Sequence, residues 1–260
     1  MNALDALFAR CREEGRAALL GYLPVGYPSY EASVAGLTKM IAAGADAVEI
    51  GVPYSDPLMD GPVIEEAVDQ ALAGGTRTAD ALRAVRAVAD AGGVALTMGY
   101  WNPVERYGPA RWADDLAAAG GAGMITPDLV PEEAAPWVEA ARSHDLAPVF
   151  LVAPSSTDER IAVVGRTNRG FVYAASTMGT TGARAAVGGG AQTLVDRVRA
   201  QTDLPVCVGL GVSNGDQAAE VAAFADGVIV GSALVRAMGE GGPDAVARLT
   251  EDLAAGVRRR

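Results

Sequence analysis

Glu49 stands between Val48 and Ile50 in Ala45-Asp46-Ala47-Val48-Glu49-Ile50-Gly51, a run that reads as a strand buried on both faces. A carboxyl in such a place is costly unless it is paired or used. One reading is a salt bridge to a neighbouring strand. The other is catalysis: burial raises a carboxyl pKa, which suits a group that must both take and give protons. The loop that follows, Gly51-Val52-Pro53-Tyr54-Ser55-Asp56-Pro57-Leu58-Met59-Asp60-Gly61-Pro62, is long for a strand-to-helix connection. Its two acids can simply cap a turn or the next helix, and Asp60 can also serve as a second proton-transfer group.

A second signal lies in Gly179-Thr180-Thr181-Gly182, Gly209-Leu210-Gly211-Val212-Ser213-Asn214-Gly215 and Gly231-Ser232. Glycines let backbone N–H groups approach an anion closely. One such segment means little in a chain with 32 glycines. Three of them, after successive strands, point to a phosphate. The 209–215 segment lacks the spacing of a dinucleotide fingerprint and follows a late strand, which argues against a nicotinamide cofactor.

Composition removes most other chemistries. His144 is the only histidine and Lys39 the only lysine, and the cysteines number two, Cys11 and Cys207. Metal sites need several imidazoles or thiolates, so none is expected. A Schiff base needs a desolvated lysine, and Lys39 lies in a helical pattern where exposure is expected. His144 falls near a helix end, where it complements the helix dipole. Carboxylates, hydroxyls and backbone amides are left to do the work.

The 260 residues carry 32 acidic against 21 basic side chains, a net charge of −11. That excess argues against nucleic acid and anionic membrane surfaces as partners. No apolar run is long enough to span a membrane, and the first residues lack the pattern of a secretion signal. With two cysteines, the expectation is a cytoplasmic protein without disulfides.

Short aliphatic runs near 17–23, 46–50, 94–98, 122–126, 147–152, 170–174, 205–209 and 227–230 read as strands. Between them lie helical patterns near 29–43, 62–73, 78–91, 109–119, 131–144, 158–166, 191–200, 216–224 and 243–256, with one more at 3–13. Gly44 and Gly120 mark helix ends, and Pro109 and Pro131 mark starts. Eight strands each followed by helix predict an α/β fold: a single (β/α)8 barrel over residues 1–260, with an extra N-terminal helix. An internal echo supports quasi-symmetry, since Ala45–Gly51 and Ala225–Gly231 share the Ala-Asp entry, a central Val and the closing Gly. Glu49 occupies the slot that Ile229 fills in the second copy.

The segment Glu49–Pro62 resembles the signature of the tryptophan synthase alpha family. So do Met178-Gly179-Thr180-Thr181-Gly182-Ala183-Arg184, Val208-Gly209-Leu210-Gly211-Val212-Ser213 and Gly231-Ser232, in the same order along the chain. The resemblance implies retro-aldol cleavage of indole-3-glycerol phosphate to indole and glyceraldehyde 3-phosphate, with no cofactor and no metal. It implies Glu49 as the main acid/base, Asp60 stabilising charge on the indole nitrogen, and Tyr173 near the glycerol hydroxyls. Phosphate is then expected on Gly182, Gly211, Gly231 and Ser232, beneath a mobile loop that includes Thr181. Tyr22, Met98, Tyr100, Ile125, Leu210 and Ile229 match the pocket around the indole. Thr180, Glu65 and Tyr22 depart from the residues usual in the family, though none is a proton-transfer group. The implied partner is a beta subunit in an alpha2beta2 complex. Two rival readings are a free-standing lyase of another indole pathway and a weakly active subunit that mainly activates a beta subunit.

Overall fold

Strands form where the aliphatic runs lie. The computed structural model describes residues 2–175 and 190–259. Among them the strands are β1 (Ala18–Pro24), β2 (Ala47–Gly51), β3 (Val94–Met98), β4 (Gly123–Ile125), β5 (Ala147–Val149), β6 (Leu151–Val152), β7 (Val172–Ala175), β8 (Val206–Gly209) and β9 (Gly227–Val230). Every pairing is parallel, in the order β5-β4-β3-β2-β1-β9-β8-β7-β6. The two ends of that order, β5 and β6, are successive in the chain and flank Phe150, so the sheet closes on itself. They are the halves of the single run expected at 147–152, and the fold is the expected (β/α)8 barrel.

The seam at Phe150 is held by a side chain. The Phe150 N–H donates to Asn168 Oδ1 at 3.0 Å, and Asn168 Nδ2 donates to the carbonyls of Phe150 and Phe171, each at 3.0 Å. Asn168 is buried and thus replaces ladder bonds that the broken strand cannot make.

Helices α1 (Ala3–Glu13), α2 (Tyr30–Ala42), α3 (Pro62–Ala73), α4 (Thr78–Asp90), α5 (Trp101–Tyr107), α6 (Pro109–Ala118), α7 (Ala135–Ser143), α8 (Asp158–Thr167), α9 (Gly190–Arg199), α10 (Gly215–Ala222) and α11 (Ser232–Val257) complete the described fold. The first of them plugs one end of the barrel. Leu4, Leu7, Phe8 and Cys11 on α1 pack with Leu20, Leu96, Val149 and Phe171 in one cluster, separate from the larger core under the outer helices. Asn2 secures the plug: it accepts the Leu4 N–H at 2.9 Å and donates to the Ala122 carbonyl at 3.0 Å.

Two helical segments escape the sequence pattern. The first, α5, is short and contains Pro103. The second is the first half of α11, which runs from Ser232 to a kink at Gly241 and Gly242 ahead of Pro243. Its glycines hide the helical period. Pro131 does not open α7 as expected; that helix starts at Ala135 with Pro136 in its first turn. Proline suits any position in a first turn, so two candidates left the boundary open.

The Ala-Asp echo has a physical cause. Asp46 accepts the Leu19 N–H at 2.9 Å and pairs with Arg16 at 2.8 Å; Asp226 accepts the Val206 N–H at 3.0 Å and pairs with Arg199 at 3.1 Å. Each carboxylate ties the foot of its strand to the strand beside it. Side-chain exposure is 11% and 6% for Arg16 and Asp46, but 39% and 32% for Arg199 and Asp226. Removing one member of a buried pair leaves a buried charge uncompensated. We expect Asp46→Ala to cost about 3 kcal/mol, lowering Tm by roughly 6–12 °C, and Asp226→Ala to cost clearly less. Equal losses in thermal unfolding would show that burial of the pair is not the deciding factor.

Candidate active site

A pocket opens among the strand ends and loops, enclosing about 1070 Å³ when counted out to its mouth. The apolar wall is built by Tyr22 on β1, Met98 on β3, Ile229 on β9 and Leu210 after β8. Glu49 lies third of the five residues of β2, between Tyr22 and Leu96 in register, and is fully buried. No protein group among the described residues hydrogen-bonds either of its oxygens. The salt-bridge reading is therefore set aside. Burial alone pushes the Glu49 carboxyl from 4.5 up to about 8, so at neutral pH it carries a proton to give.

Asp60 enters the same pocket from the loop between β2 and α3. The Tyr100 hydroxyl donates to Asp60 Oδ1 at 3.1 Å and accepts the Met59 N–H at 3.0 Å. Burial raises the Asp60 pKa; the Tyr100 hydrogen bond opposes that rise, and the nearby Glu65 adds to it. Burial also pushes the Tyr100 phenol up to about 12, keeping it a donor. Tyr22 and Tyr173 are raised well above the ordinary value, again chiefly by burial. Two glycines seat these phenols. A side chain on Gly51 would collide with Tyr22, and one on Gly209 with Tyr173.

Gly211, Gly231 and Ser232 line another part of the pocket. Gly211 has φ +70°, a conformation glycine adopts without strain. Gly231 is the N-cap of α11, and no side chain caps that helix. Its first amides, with the helix dipole behind them, form a ready anion site. Among the described lining residues the charged groups are Glu49 and Asp60, with no lysine or arginine. Among the described lining residues, the groups offered to an anion are the backbone amides of Gly211, Gly231 and Ser232 and the Ser232 hydroxyl.

The structure thus gathers Glu49, Asp60, Tyr173, Gly211, Gly231, Ser232, Tyr22, Met98, Tyr100, Leu210 and Ile229 around one pocket. Ile125 does not reach its wall: it ends β4, pairs with Met98 and Val149, and packs inside the barrel with Leu96. Thr181 and Gly182 lie outside the described residues. Val52, Ile64, Val68, Leu151 and Ala175 also line the pocket and escaped the sequence reading. The i, i+4 spacing of Ile64 and Val68 on α3 is the available signal, and it does not say which cavity the helix faces. His144 and Lys39 stay outside the pocket, as expected. His144 caps α7 and pairs with Asp114 at 2.6 Å, and Lys39 pairs with Asp244 at the surface.

A family model described as tryptophan synthase alpha chain matches residues 8–257. The chain belongs to the tryptophan synthase alpha chain family. It is 59% identical over 259 residues to the tryptophan synthase alpha chain of Mycobacterium ulcerans (strain Agy99), covering 100% of this chain and 96% of that one. Its identity to the alpha chain of Nocardia farcinica (strain IFM 10152) is also 59%, over 257 residues and with 99% and 96% covered. A solved tryptophan synthase structure from Mycobacterium tuberculosis superposes with a TM-score of 0.95 at 57% identity, over 98% of each chain. The tryptophan synthase subunit alpha of Legionella pneumophila gives 0.91 at 32% identity, over 99% and 98%. The alpha-chain barrel is thus kept where most side chains differ. Among the described residues no helix is long and apolar enough to cross a membrane.

A raised Glu49 pKa has a consequence for stability. The folded protein holds a proton that the unfolded chain releases above pH 4.5, so this contribution is greatest below pH 4.5 and is lost as pH rises toward 8. Glu49→Gln cannot titrate. Its stability relative to the parent should therefore climb between those limits, at a slope approaching about 1.4 kcal/mol per pH unit. Denaturant unfolding across that range checks it. A constant difference would mean that Glu49 is not held neutral.

Proposed function

We propose that this chain cleaves indole-3-glycerol phosphate by a retro-aldol reaction, as the cytoplasmic alpha subunit of a tryptophan synthase in tryptophan biosynthesis, with the barrel as one catalytic domain. The observation that carries the reading is Glu49: a buried carboxyl with no hydrogen-bond partner among the described residues, in an apolar pocket it shares with Asp60. Glu49 gives its proton to the indole carbon that bears the side chain, and positive charge develops on the ring nitrogen. Asp60 stabilises that charge. Glu49, now a carboxylate, takes the proton of the adjacent glycerol hydroxyl. The carbon–carbon bond then breaks, its electron pair restores the indole, and the hydroxyl carbon becomes the aldehyde. Glu49 ends protonated, so the cycle balances without a cofactor.

Tyr173 serves the glycerol hydroxyls in this reading. Phosphate rests on the amides of Gly211, Gly231 and Ser232 and on the Ser232 hydroxyl, with Gly182 and the Thr181 loop completing the site. Tyr22, Met98, Tyr100, Leu210 and Ile229 enclose the indole. Glu49→Gln should lower turnover by at least about 10²–10⁴ while binding survives. Turnover near that of the parent would remove the mechanism.

For phosphate, Gly231→Ala is the cleaner probe. A side chain on Gly211 would be strained whatever it did to an anion, whereas a Cβ on Gly231 meets Tyr22 and Ile64 at 3.6 Å or more. The methyl group should raise KM for the phosphorylated substrate about tenfold, roughly the 1.4 kcal/mol of one amide contact. A dephosphorylated analogue should be little affected. Equal losses on both would assign the loop to the fold.

Partner dependence has a surface to rest on. Leu58 and Val130, 76% and 41% exposed, are the large exposed apolar side chains among the described residues. They lie on the loops after β2 and β4, near Asp56 and Pro131; Pro53 is buried. A beta subunit covering this face would order the loops that carry Asp60. Steady-state assays should show at least about tenfold acceleration by a beta subunit, equivalent to some 1.4 kcal/mol of barrier. Full speed alone, unchanged by any beta subunit, would select the free-standing lyase.

A further inference from the structure

Helix α5 bridges two loops at the mouth of the barrel. Its N-cap residue is Tyr100, whose hydroxyl holds both Asp60 Oδ1 and the Met59 N–H. The Tyr100 ring also packs against Tyr54, on the same loop as Asp60, with centroids 5.5 Å apart. The first helical residue, Trp101, directs its N–H to the Asp128 carboxylate, with Oδ1 at 2.9 Å and Oδ2 at 3.1 Å. Tyr100 supplies no side-chain cap, so the orphan amide of this helix is satisfied from the loop after β4.

We infer that Asp128 is a positioning residue for Asp60. By fixing the amino end of α5 it fixes Tyr100, and Tyr100 fixes the Asp60 carboxylate. Asp128 is not among the residues that line the pocket, and its connection to Asp60 runs through Tyr100. A charged acceptor from outside the helix holds a helix start against fraying. Tyr100 sits at that start. If the start shifts, the phenol moves, and with it the hydrogen bond that sets where the Asp60 oxygens point.

This inference rests on the proposed reaction, in which Asp60 stabilises charge on the indole nitrogen. The test is a double-mutant cycle on the full chain with its beta subunit, assayed by indole release from indole-3-glycerol phosphate. Tyr100→Phe should lower kcat about tenfold, since sub-ångström misplacement of a catalytic group costs this order of rate. Asp128→Ala should lower kcat roughly three- to tenfold, with KM within about twofold of the parent. The double variant should be no slower than Tyr100→Phe by more than about twofold, because both changes cut the same tether. Asp128→Asn keeps an acceptor oxygen and should recover most of the rate; Asp128→Ser gives a second cycle should the alanine variant fail to fold. Additive losses, or an unchanged kcat in Asp128→Ala, overturn the inference while leaving the reaction intact. A parent enzyme that releases no indole overturns the reaction and this inference with it.

Discussion

A protonated carboxyl in the middle of a barrel strand is the constraint around which this molecule is arranged. Glu49 is fully buried, and no protein group hydrogen-bonds its oxygens among the described residues. A buried acid normally finds a partner, because an unsatisfied polar group away from water costs free energy. Burial raises the phenols of Tyr22 and Tyr173 as it raises the Glu49 carboxyl, because the pocket interior disfavours charge. A carboxyl raised in this way suits a group that must both give and take a proton near neutral pH.

The second constraint is where charge is allowed. Among the described residues that line the pocket none is a lysine or arginine, and the uncapped start of α11 lies there. Arginines instead hold the periphery. Arg16 and Arg199 bind the aspartates that fasten strand feet, and Arg160 joins α8 to Glu132 in the loop after β4.

The active face is also tied together loop by loop. Tyr100 links the loop after β2 to that after β3, and Asp128 links the latter to the loop after β4. Exposed Leu58 and Val130 lie on the first and third of these. A partner pressing on either one therefore meets the same hydrogen-bonded bracket that carries Asp60.

The sequence by itself determined the barrel and the buried acid. Strand and helix periods are local properties, and eight alternations leave little choice of topology. Glu49 was legible because an acid inside an aliphatic run is anomalous. The Ala-Asp echo was visible as a pattern, but its cause was not, since Leu19 and Val206 are joined to their aspartates only by lateral packing. The same holds for the seam at Phe150, which Asn168 closes from 18 residues away. Tyr100 could be placed at the rim, yet its hold on Asp60, 40 residues distant, needs two loops brought to one point. Ile125 is expected at the pocket but is not among its lining residues, because period alone says that a side chain faces inward and not whether it opens on the cavity. Sequence fixes which residues face inward. Which inward side chains open on the pocket, how loops meet, and the lack of a Glu49 partner among the described residues depend on the stagger of closed strands, and so only the tertiary structure decides them.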